Sequence, residues 1–435
     1  MSTATAHEFW PAPTPATPVD ATVVIPGSKS VTNRALVLAA IADGTSRLRR
    51  PLVSRDTTLM LGGLRALGIE VTQDGDDLLV TGHAGPLHAG PAHAAAGSID
   101  LGNAGTVARF LLPIAALAKG SIAFDGDQRI RERPIKELLT ALRDLGADID
   151  DDGRNTFPLT VHGTGSLRGG EVTVDASTSS QFITALLLAA PRFDEGVTVR
   201  HVGPPVPSAP HLEMTVAMLR AAGVSVDDGT PDVWRVAPGP VRAHDRTIEP
   251  DLSNAAAFAA AALATAGRVR ISDWPLTTTQ PGGQVPDFLR RMGAQVDLAA
   301  GGLTVTGPDR LTGFDADLRE CGELTPVLVA LAVLADTPST FTGVEHIRLH
   351  ETDRIAALAR EFAGLGADIT ELPDGLAIRP ASLHGGQFAT YHDHRLAMAA
   401  AIVGLAVPGV LVENVATTAK TMPDFAQRWS RMVAG

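Results

Sequence analysis

The sequence predicts an α/β (α+β) fold of two domains, built from six copies of a helix–strand–helix–strand–strand unit. Three observations predict it. Apolar helical segments with polar starts recur at a nearly fixed spacing. Leucine-rich helices that end in glycine alternate with them. A β-branched or apolar strand follows each apolar helix. A fixed period of this kind usually dominates a fold.

The apolar segments close at six residues spaced 76, 76, 71, 72 and 70 positions apart, namely Gly44, Gly120, Gly196, Gly267, Ser339 and Gly409. Their helices are unusually rich in Ala and carry few charges. A helix that is apolar all round is typically buried. We therefore expect these helices to lie at the centre of each domain, with the leucine-rich helices outside them.

The leucine-rich helices end at five glycines spaced 78, 77, 70 and 73 positions apart, namely Gly68, Gly146, Gly223, Gly293 and Gly366. The sixth such helix is Phe425–Val433, and the chain ends before its two strands. The unassigned strand at residues 19–25 is a candidate to complete that copy.

A chain of 435 residues is too long for one ordinary hydrophobic core, so we divide the copies between two domains. Residues 1–27 and 249–435 form a discontinuous domain with the last three copies, and residues 28–248 form the second. The chain then crosses between domains twice, which is typical of a hinge. One continuous six-copy solenoid is the alternative, but its ends would have to close a large ring.

Composition narrows the function classes. The formal charge of −12 argues against nucleic-acid binding, which needs a basic footprint. One cysteine, Cys321, cannot form an internal disulfide, which favours a cytoplasmic protein. No apolar stretch approaches the ~20 residues that span a bilayer. The first 18 residues read as a loose tail. We expect a monomer.

The starts of the apolar helices carry hydroxyls, amides and acids that cap helices. Several parallel helix N-termini facing one cleft would instead favour phosphate or carboxylate. Basic residues at the boundaries of these apolar segments support the second interpretation, because Arg pairs bidentately with both groups. These residues are Lys29, Arg34, Arg133, Arg354, Arg395 and Lys420.

Seven motifs resemble the 5-enolpyruvylshikimate-3-phosphate synthase family, in order and over nearly the whole chain. They are PGSKSVTNR (Pro26–Arg34), LGNAGTVARF (Leu101–Phe110), RERP (Arg131–Pro134), SSQF (Ser179–Phe182), HETDR (His350–Arg354), DHRLAM (Asp393–Met398) and AKTMPDF (Ala419–Phe425). The resemblance implies a two-domain inside-out α/β barrel, each domain having three βαβαββ repeats around buried parallel helices, with the active site in the interdomain cleft.

The implied reaction transfers the enolpyruvyl (1-carboxyvinyl) group of phosphoenolpyruvate to the 5-hydroxyl of shikimate 3-phosphate and releases phosphate, a step of chorismate and aromatic amino acid biosynthesis. No metal or organic cofactor is implied. His83, His88 and His93 lie in a Gly/Ala/Pro-rich stretch without neighbouring Cys or acid clusters, which favours a solvated loop over a metal site.

The resemblance also implies ligand contacts. The phosphoenolpyruvate site would comprise Lys29, Gly105, Thr106, Arg133, Arg354, Arg395 and Lys420. The shikimate 3-phosphate site would comprise Lys29, Ser30, Arg34, Ser179, Ser180, Gln181, Ser208, Glu323, His346 and His350.

The reaction needs two positioned acid–base groups. By resemblance, Glu323 takes the hydroxyl proton, Glu351 protonates the methylene carbon and later removes a proton, and Lys29 stabilises charge on the phosphate side. On the residues alone, Glu323 could equally be a helix N-terminal acid, and Glu351 a surface partner of Arg354.

Three positions depart from the family pattern. His350 stands where Lys is frequent, and His346 where Asn is frequent. Phe110 stands where Pro is frequent and could alter the shape behind the phosphoenolpyruvate site. Inhibition by glyphosate is expected because Gly105 is retained, with its potency left open by Phe110.

Two rival functions remain. The related UDP-N-acetylglucosamine enolpyruvyl transferases share the architecture, but they typically have Lys-Asn in place of Lys29-Ser30 and a loop cysteine in the other half of the chain. A non-catalytic protein that binds phosphorylated ligands is the second rival. Retention of Glu323 and Glu351 argues against it, because extra carboxylates do not help to bind anions.

Overall fold

The computed structural model describes residues 8–88 and 97–435. His93 and residues 1–7 of the predicted tail lie outside this range. Contacts divide the chain into two compact units, one of Met1–Pro26 with Glu249–Gly435 and the other of Gly27–Ile248. We describe the units separately.

The segment before the first copy contains two strands, β1 (Phe9–Pro11) and β2 (Asp20–Val23). The predicted loose tail is therefore wrong for residues 9–11, which are ordered as a strand.

The three copies of the second unit follow in chain order. Copy one contains α1 (Lys29–Ala40), β3 (Thr45–Arg49), α2 (Arg55–Ala66), β4 (Glu70–Asp74) and β5 (Asp77–Thr81). Copy two contains β6 (Leu87–His88), β7 (Ser98–Asp100), α3 (Gly105–Ala116), β8 (Ala118–Asp125), α4 (Gln128–Glu132), α5 (Lys136–Asp144), β9 (Asp148–Asp150) and β10 (Leu159–Thr164). Copy three contains β11 (Gly170–Val174), α6 (Gln181–Ala189), β12 (Val197–His201), α7 (Pro210–Ala221), β13 (Val226–Thr230) and β14 (Val233–Val236), and β15 (Arg246–Thr247) follows it.

The other unit holds copies four to six. Copy four contains α8 (Leu252–Ala264), β16 (Arg268–Ser272), α9 (Val285–Arg291), β17 (Gln295–Ala299) and β18 (Gly302–Thr306). Copy five contains β19 (Asp315–Asp317), α10 (Thr325–Ala332), β20 (Ser339–Thr342), α11 (Arg354–Gly364), β21 (Asp368–Leu372) and β22 (Gly375–Arg379). Copy six contains β23 (Gly386–Phe388), α12 (His394–Ala406), β24 (Val410–Glu413) and α13 (Phe425–Ala434).

The Ala-rich helices form the centre of each unit, as predicted. In the second unit α1, α3 and α6 contact one another, and in the first unit α8, α10 and α12 do so. Every residue of α3 and α10 is buried, as are eight of the nine residues of α6. Sheets and the amphipathic helices surround these helices, so the core of each unit is built on apolar helices.

The five predicted glycines end the outer helices α2, α5, α7, α9 and α11. Their φ angles lie between 82° and 102°, in the left-handed region that only glycine enters without strain. At Gly68 the following residue, Ile69, donates its N–H to the Leu64 carbonyl, which is the Schellman arrangement. This chemistry explains why glycine marks the period.

Each sheet places a short leading strand parallel to the strand that follows the inner helix, and in copies one to five an antiparallel hairpin lies on the other side. In copy five the order is β19-β20-β22-β21. In copy six β1 pairs antiparallel with β24 and takes the hairpin position. The candidate assignment of residues 19–25 to copy six is therefore wrong, because β2 pairs with β16 of copy four.

The leading strands of copies one and four are exchanged. The strand β2 directly precedes α1 in the chain, yet it pairs parallel with β16. Reciprocally, β15 directly precedes α8, yet it pairs parallel with β3. Each place where the chain passes from one unit to the other therefore joins a leading strand of one sheet to an inner helix of the other unit.

No helix in the described part of the chain is both long enough and apolar enough to cross a membrane.

Candidate active site

The inner helices differ in how their N-termini are satisfied. Side chains cap three of them: Ser28 caps α1, Asp251 caps α8 and Asp393 caps α12. The starts of α3, α6 and α10 have no side-chain cap. The capping interpretation thus holds for half of these helices. The helices α3 and α6, whose N-cap side chains make no capping hydrogen bond, begin at the predicted ligand residues Gly105 and Gln181. The N–H groups of a first helical turn suit an anion.

Two arginines approach the backbone at the start of α3. A Cβ added to Gly105 would lie 2.6 Å from Nη2 of Arg133 and 2.7 Å from Nη1 of Arg109. Arg133 is buried and donates from Nη1 to the Asn103 carbonyl at 3.3 Å. A side chain at this position would displace the two guanidinium groups, because they occupy the space that its Cβ would take.

Thr106 is held by the neighbouring inner helix. Its Oγ1 accepts a 2.7 Å hydrogen bond from Nδ2 of Asn33, and both side chains are buried. This bond fixes the first turn of α3 against α1. Thr106 is therefore a packed structural contact as well as a predicted ligand residue.

Lys29 lies in the first turn of α1, and its Nζ is 3.2 Å from Oδ2 of Asp56. The Asp56 side chain is 3% exposed. A buried carboxylate on α2 therefore holds the predicted catalytic ammonium in place. Sequence reasoning did not select Asp56, which reads as an ordinary helix N-terminal acid.

Arg34 is buried among neutral groups. Its Nε donates to Oγ1 of Thr215 at 2.9 Å, Nη1 to the Ser30 carbonyl at 3.1 Å, and Nη2 to the His211 carbonyl at 3.2 Å. Burial lowers the pKa of Arg34 to about 9. A desolvated cation with neutral partners is a suitable receptor for an anionic ligand.

Phe110 lies against Arg34, whose guanidinium carbon is 5.4 Å from the ring centroid. The ring is fully buried in the second unit. The departure at this position therefore touches a predicted shikimate 3-phosphate residue, as a cation–π contact.

The start of α6 presents Gln181 in a fixed orientation. Its Oε1 accepts from Nη1 of Arg109 at 3.0 Å, and Oγ of Ser179 accepts from the Gln181 N–H at 3.3 Å. Because arginine only donates, the Gln181 oxygen is engaged and its NH₂ group is the one it can offer to a ligand. Ser180 is buried at the N-cap position, and Ser208 has a left-handed φ of 54°.

A buried network in the first unit centres on Arg354, which is 2% exposed. Its Nε lies 2.7 Å from Oδ2 of Asp393, and its Nη2 lies 2.8 Å from Oε2 of Glu351. Burial alone would lower the pKa of Arg354, but the carboxylates of Asp393 and Glu351 raise it above its ordinary value. Glu351 is 8% exposed and is not the surface ion-pair partner that the sequence left open.

Glu351 also contacts Lys420, whose Nζ is 2.6 Å from Oε1. One carboxylate thus lies between two predicted phosphoenolpyruvate ligands that are 66 positions apart in the sequence, Arg354 and Lys420. Arg395 lies next to this network, because its backbone N–H donates to Oδ1 of Asp393 at 2.8 Å. Burial and the nearby Arg354 lower the pKa of Arg395.

His346 and His350 lie beside this network, with ring centroids 5.7 Å apart. Nδ1 of His350 is 3.2 Å from Nη1 of Arg354. Burial lowers the pKa of His346 to about 4, so this imidazole is neutral near pH 7. Glu323 precedes α10. Its charge acts to raise the pKa values of both His346 and Arg354, but at His346 burial outweighs this effect.

Each unit therefore gathers its own part of the predicted set. The second unit places Lys29, Arg34, Gly105, Thr106, Arg133 and Gln181 at the starts of inner helices or in the segments that precede outer helices. The first unit brings Glu351, Arg354, Arg395 and Lys420 into one network, with His346 and His350 at its side. In the described residues there is no group of three or more His, Cys, Asp or Glu side chains that could hold a metal ion.

Sequence reasoning missed two residues that organise these sets. Arg109 links the starts of α3 and α6, since its Nη1 also donates weakly to the Gly105 carbonyl at 3.4 Å. Asp393 was not selected as a site residue, yet it is fully buried and binds the Arg354 side chain as well as capping α12. The signal for Asp393 was its place in the DHR motif, next to a predicted ligand.

Comparisons with known proteins identify the family of the chain. The family model described as EPSP synthase (3-phosphoshikimate 1-carboxyvinyltransferase) matches residues 13–429. A 3-phosphoshikimate 1-carboxyvinyltransferase of Kocuria rhizophila is 52% identical over 434 residues, covering 98% of this chain and 97% of that protein.

Solved structures share the fold. An EPSP synthase from Acinetobacter baumannii aligns with a TM-score of 0.81 at 24% identity, covering 98% of each chain. The enolpyruvyl transferase NikO from Streptomyces tendae aligns with a TM-score of 0.75 at 20% identity, covering 96% of each chain. With a family model that spans nearly its whole length, the chain belongs to the EPSP synthase family, the 3-phosphoshikimate 1-carboxyvinyltransferases.

Proposed function

We propose that this enzyme transfers the 1-carboxyvinyl group of phosphoenolpyruvate to the 5-hydroxyl of shikimate 3-phosphate, and that residues of both units bind the two substrates. The observation that supports this most directly is the position of Glu351 between Arg354 and Lys420. Two cations suit a ligand that carries both phosphate and carboxylate, and the carboxyl group between them can move a proton.

The substrates divide between the gathered residues. Arg354, Arg395 and Lys420 of one unit and Lys29 and Arg133 of the other would bind phosphoenolpyruvate, with the N–H groups of Gly105 and Thr106 facing its anionic end. Shikimate 3-phosphate would lie against Lys29, Ser30, Arg34, Ser179, Ser180, Gln181 and Ser208, with Glu323, His346 and His350 on the opposite side. The Gln181 NH₂ would then donate to an anionic or hydroxyl oxygen.

The reaction proceeds by addition and elimination. The 5-hydroxyl oxygen of shikimate 3-phosphate bonds to C2 of phosphoenolpyruvate while Glu323 takes the hydroxyl proton. Glu351 gives a proton to C3. Removal of a proton from C3 by Glu351 then forms the new double bond and expels phosphate from the tetrahedral intermediate. Lys29, oriented by Asp56, would stabilise the charge that develops on the leaving phosphate.

Phosphate release in the presence of phosphoenolpyruvate and each acceptor tests the substrate assignment. We expect turnover with shikimate 3-phosphate and none with UDP-N-acetylglucosamine. A preference for the UDP-sugar would overturn the assignment. Binding of shikimate 3-phosphate without turnover would favour the non-catalytic alternative.

Substitution of Glu351 by glutamine tests the mechanism. The amide keeps the size of the side chain and can still accept from Lys420, but it carries no transferable proton. We expect ligand binding to persist while kcat falls by about 10²–10⁴-fold, the usual contribution of general acid–base catalysis. The control is Glu371→Gln, at a carboxylate of β21 that pairs with Arg348 and is 43% exposed. Near-normal turnover of Glu351→Gln would remove its acid–base role.

We also propose that the enzyme acts as a cytoplasmic monomer. Its one cysteine, Cys321, is free and buried. A protein without an internal disulfide suits a reducing compartment. Burial raises the pKa of this thiol, which disfavours the reactive thiolate. Light scattering coupled to size exclusion tests the monomer, and a dimer mass would contradict it.

A further inference from the structure

The contact between His350 and Arg354 fixes the protonation state of the histidine. His350 follows the 3-10 turn Glu345–Leu349, and its Nδ1 lies 3.2 Å from Nη1 of Arg354. A guanidinium group has donors and no acceptor, so Nδ1 must accept. The imidazole in this contact is therefore neutral, and its proton is on Nε2.

The contact also fixes Arg354. Its Nε and Nη2 bind the carboxylates of Asp393 and Glu351, and its Nη1 binds His350. All three guanidinium nitrogens thus have partners in the described part of the chain. His350 is the neutral one among these partners, so it orients Nη1 without adding a negative charge.

We propose that His350 is a positioning residue for Arg354, and that its neutral imidazole makes the binding of phosphoenolpyruvate sensitive to pH. This inference rests on the proposed role of Arg354 in binding that substrate. Protonated imidazole cannot accept from Nη1, and it places a second cation beside a buried one. Acid therefore releases one side of the guanidinium group and disorders its geometry.

The assignment changes the role that the family resemblance implies for this position. A lysine there presents only donors and a permanent positive charge near pH 7, so it cannot hold Arg354 in this way. In this chain the position orients a ligand of one substrate, phosphoenolpyruvate. The resemblance alone assigns it to the other substrate, shikimate 3-phosphate.

Other charged or titratable groups lie near His350 in the chain or interact with its partner Arg354 or the neighbours of Arg354. They are Glu323 before α10, Glu345, His346 and Arg348 in the 3-10 turn, Glu351, Asp353 and Arg354 at the start of α11, Asp393 and Arg395 at the start of α12, and Lys420 before α13. A substitution of His350 leaves all of them in place. The wild type and the variant can therefore be compared at each pH to isolate the histidine.

The test is the KM for phosphoenolpyruvate between pH 5.5 and 8.5 in the wild type and in His350→Asn, at saturating shikimate 3-phosphate. The asparagine Oδ1 can occupy the place of the imidazole Nδ1, accepts from Arg354 and does not titrate. Histidine changes charge within this range. We expect the ratio of the wild-type KM to the His350→Asn KM to be about tenfold higher at pH 5.5 than at pH 8.5. A tenfold change corresponds to the loss of one charge-assisted hydrogen bond. The ratio cancels the titration of the substrate phosphate, which occurs in the same range.

His346→Asn is the matched control. It removes the adjacent imidazole, whose lowered pKa of about 4 keeps it neutral across most of the range. Whatever its effect on shikimate 3-phosphate, this variant should keep the wild-type slope for phosphoenolpyruvate. His350→Lys should raise the KM for phosphoenolpyruvate at every pH.

Parallel profiles of the wild type and His350→Asn would overturn the inference, as would a slope confined to the KM for shikimate 3-phosphate. Nitrogen-15 NMR of the wild-type histidines reads the tautomer directly, so an unstable variant does not block the test. A proton on Nδ1 of His350 would overturn it too. Absence of wild-type turnover at pH 8 would instead contradict the proposed function and is separable from these outcomes.

Discussion

At the scale of single residues, the site depends on side chains that can only donate meeting groups that must accept. Arg109 engages the Gln181 oxygen, Arg34 takes three neutral acceptors, and Arg354 takes two carboxylates and an imidazole. Each donor sets the orientation of its acceptor. The same buried arginines therefore supply positive charge and fix the groups around them.

Gly105 gives a prediction at this scale. In Gly105→Ala the new methyl group would lie within 2.7 Å of the guanidinium groups of Arg133 and Arg109, which must move. We expect the fold to persist, because these are the ends of flexible side chains. The KM for phosphoenolpyruvate should rise about 10–100-fold, as for the loss of one hydrogen bond to a charged group, about 1.5–3 kcal/mol. The KM for shikimate 3-phosphate should change less.

Gly62→Ala is the control for that variant. Gly62 lies in α2 with no atom within 4 Å of the added Cβ, so its kinetics should match the wild type. An unchanged KM for phosphoenolpyruvate in Gly105→Ala would show that Arg133 does not depend on this space.

At the scale of elements, the periodic pattern located all six inner helices, because an apolar run of this length with a polar start has few other structures. It missed β1, because this strand has only three residues, ends at Pro11 and is followed by a second proline, Pro13. Its single pairing to β24 lies about 400 positions away, which local patterns do not encode. It also misassigned β2, since strand pairing depends on the partner and not on the strand itself.

The same limit applied to the site. The motifs located Arg354 and Asp393 separately. Arg354 was assigned to the phosphoenolpyruvate site, and no contact between the two residues was predicted. Their bidentate contact joins residues that are 39 positions apart, at the start of α11 and the N-cap of α12. The sequence therefore predicted which charged residues belong to the site, and the fold determined which of them form ion pairs.

The strand β1 carries a prediction at the scale of elements. Trp10 packs edge-on against Phe425 of α13, with ring centroids 6.4 Å apart. We expect Trp10→Ala to destabilise the unit by about 1–3 kcal/mol, from lost apolar burial and the aromatic pair. Thermal unfolding measures this, and Trp10→Phe should retain most of the stability. Equal unfolding temperatures for Trp10→Ala and the wild type would show that β1 does not brace copy six.

At the scale of the whole molecule, the two units carry separate sets of cations. Lys29, Arg34 and Arg133 belong to one unit, and Arg354, Arg395 and Lys420 belong to the other. The chain passes between the units at two places, after β2 and after β15, and two crossings are typical of a hinge. If both sets bind one ligand, as proposed, repulsion between their like charges opposes closure until the anion is bound.

This arrangement predicts closure driven by the ligand. A ligand shifts an open–closed equilibrium only by its differential affinity for the two forms, and a phosphorylated ligand gains most where both sets of cations reach it. We expect small-angle scattering to show a smaller radius of gyration with shikimate 3-phosphate than without it. Shikimate is the matched control, because it lacks the phosphate and should cause little compaction. High salt screens repulsion between the sets and should narrow the difference between free and bound protein. Identical scattering with and without shikimate 3-phosphate, at low salt and saturating ligand, would show that the opposed cations do not control closure.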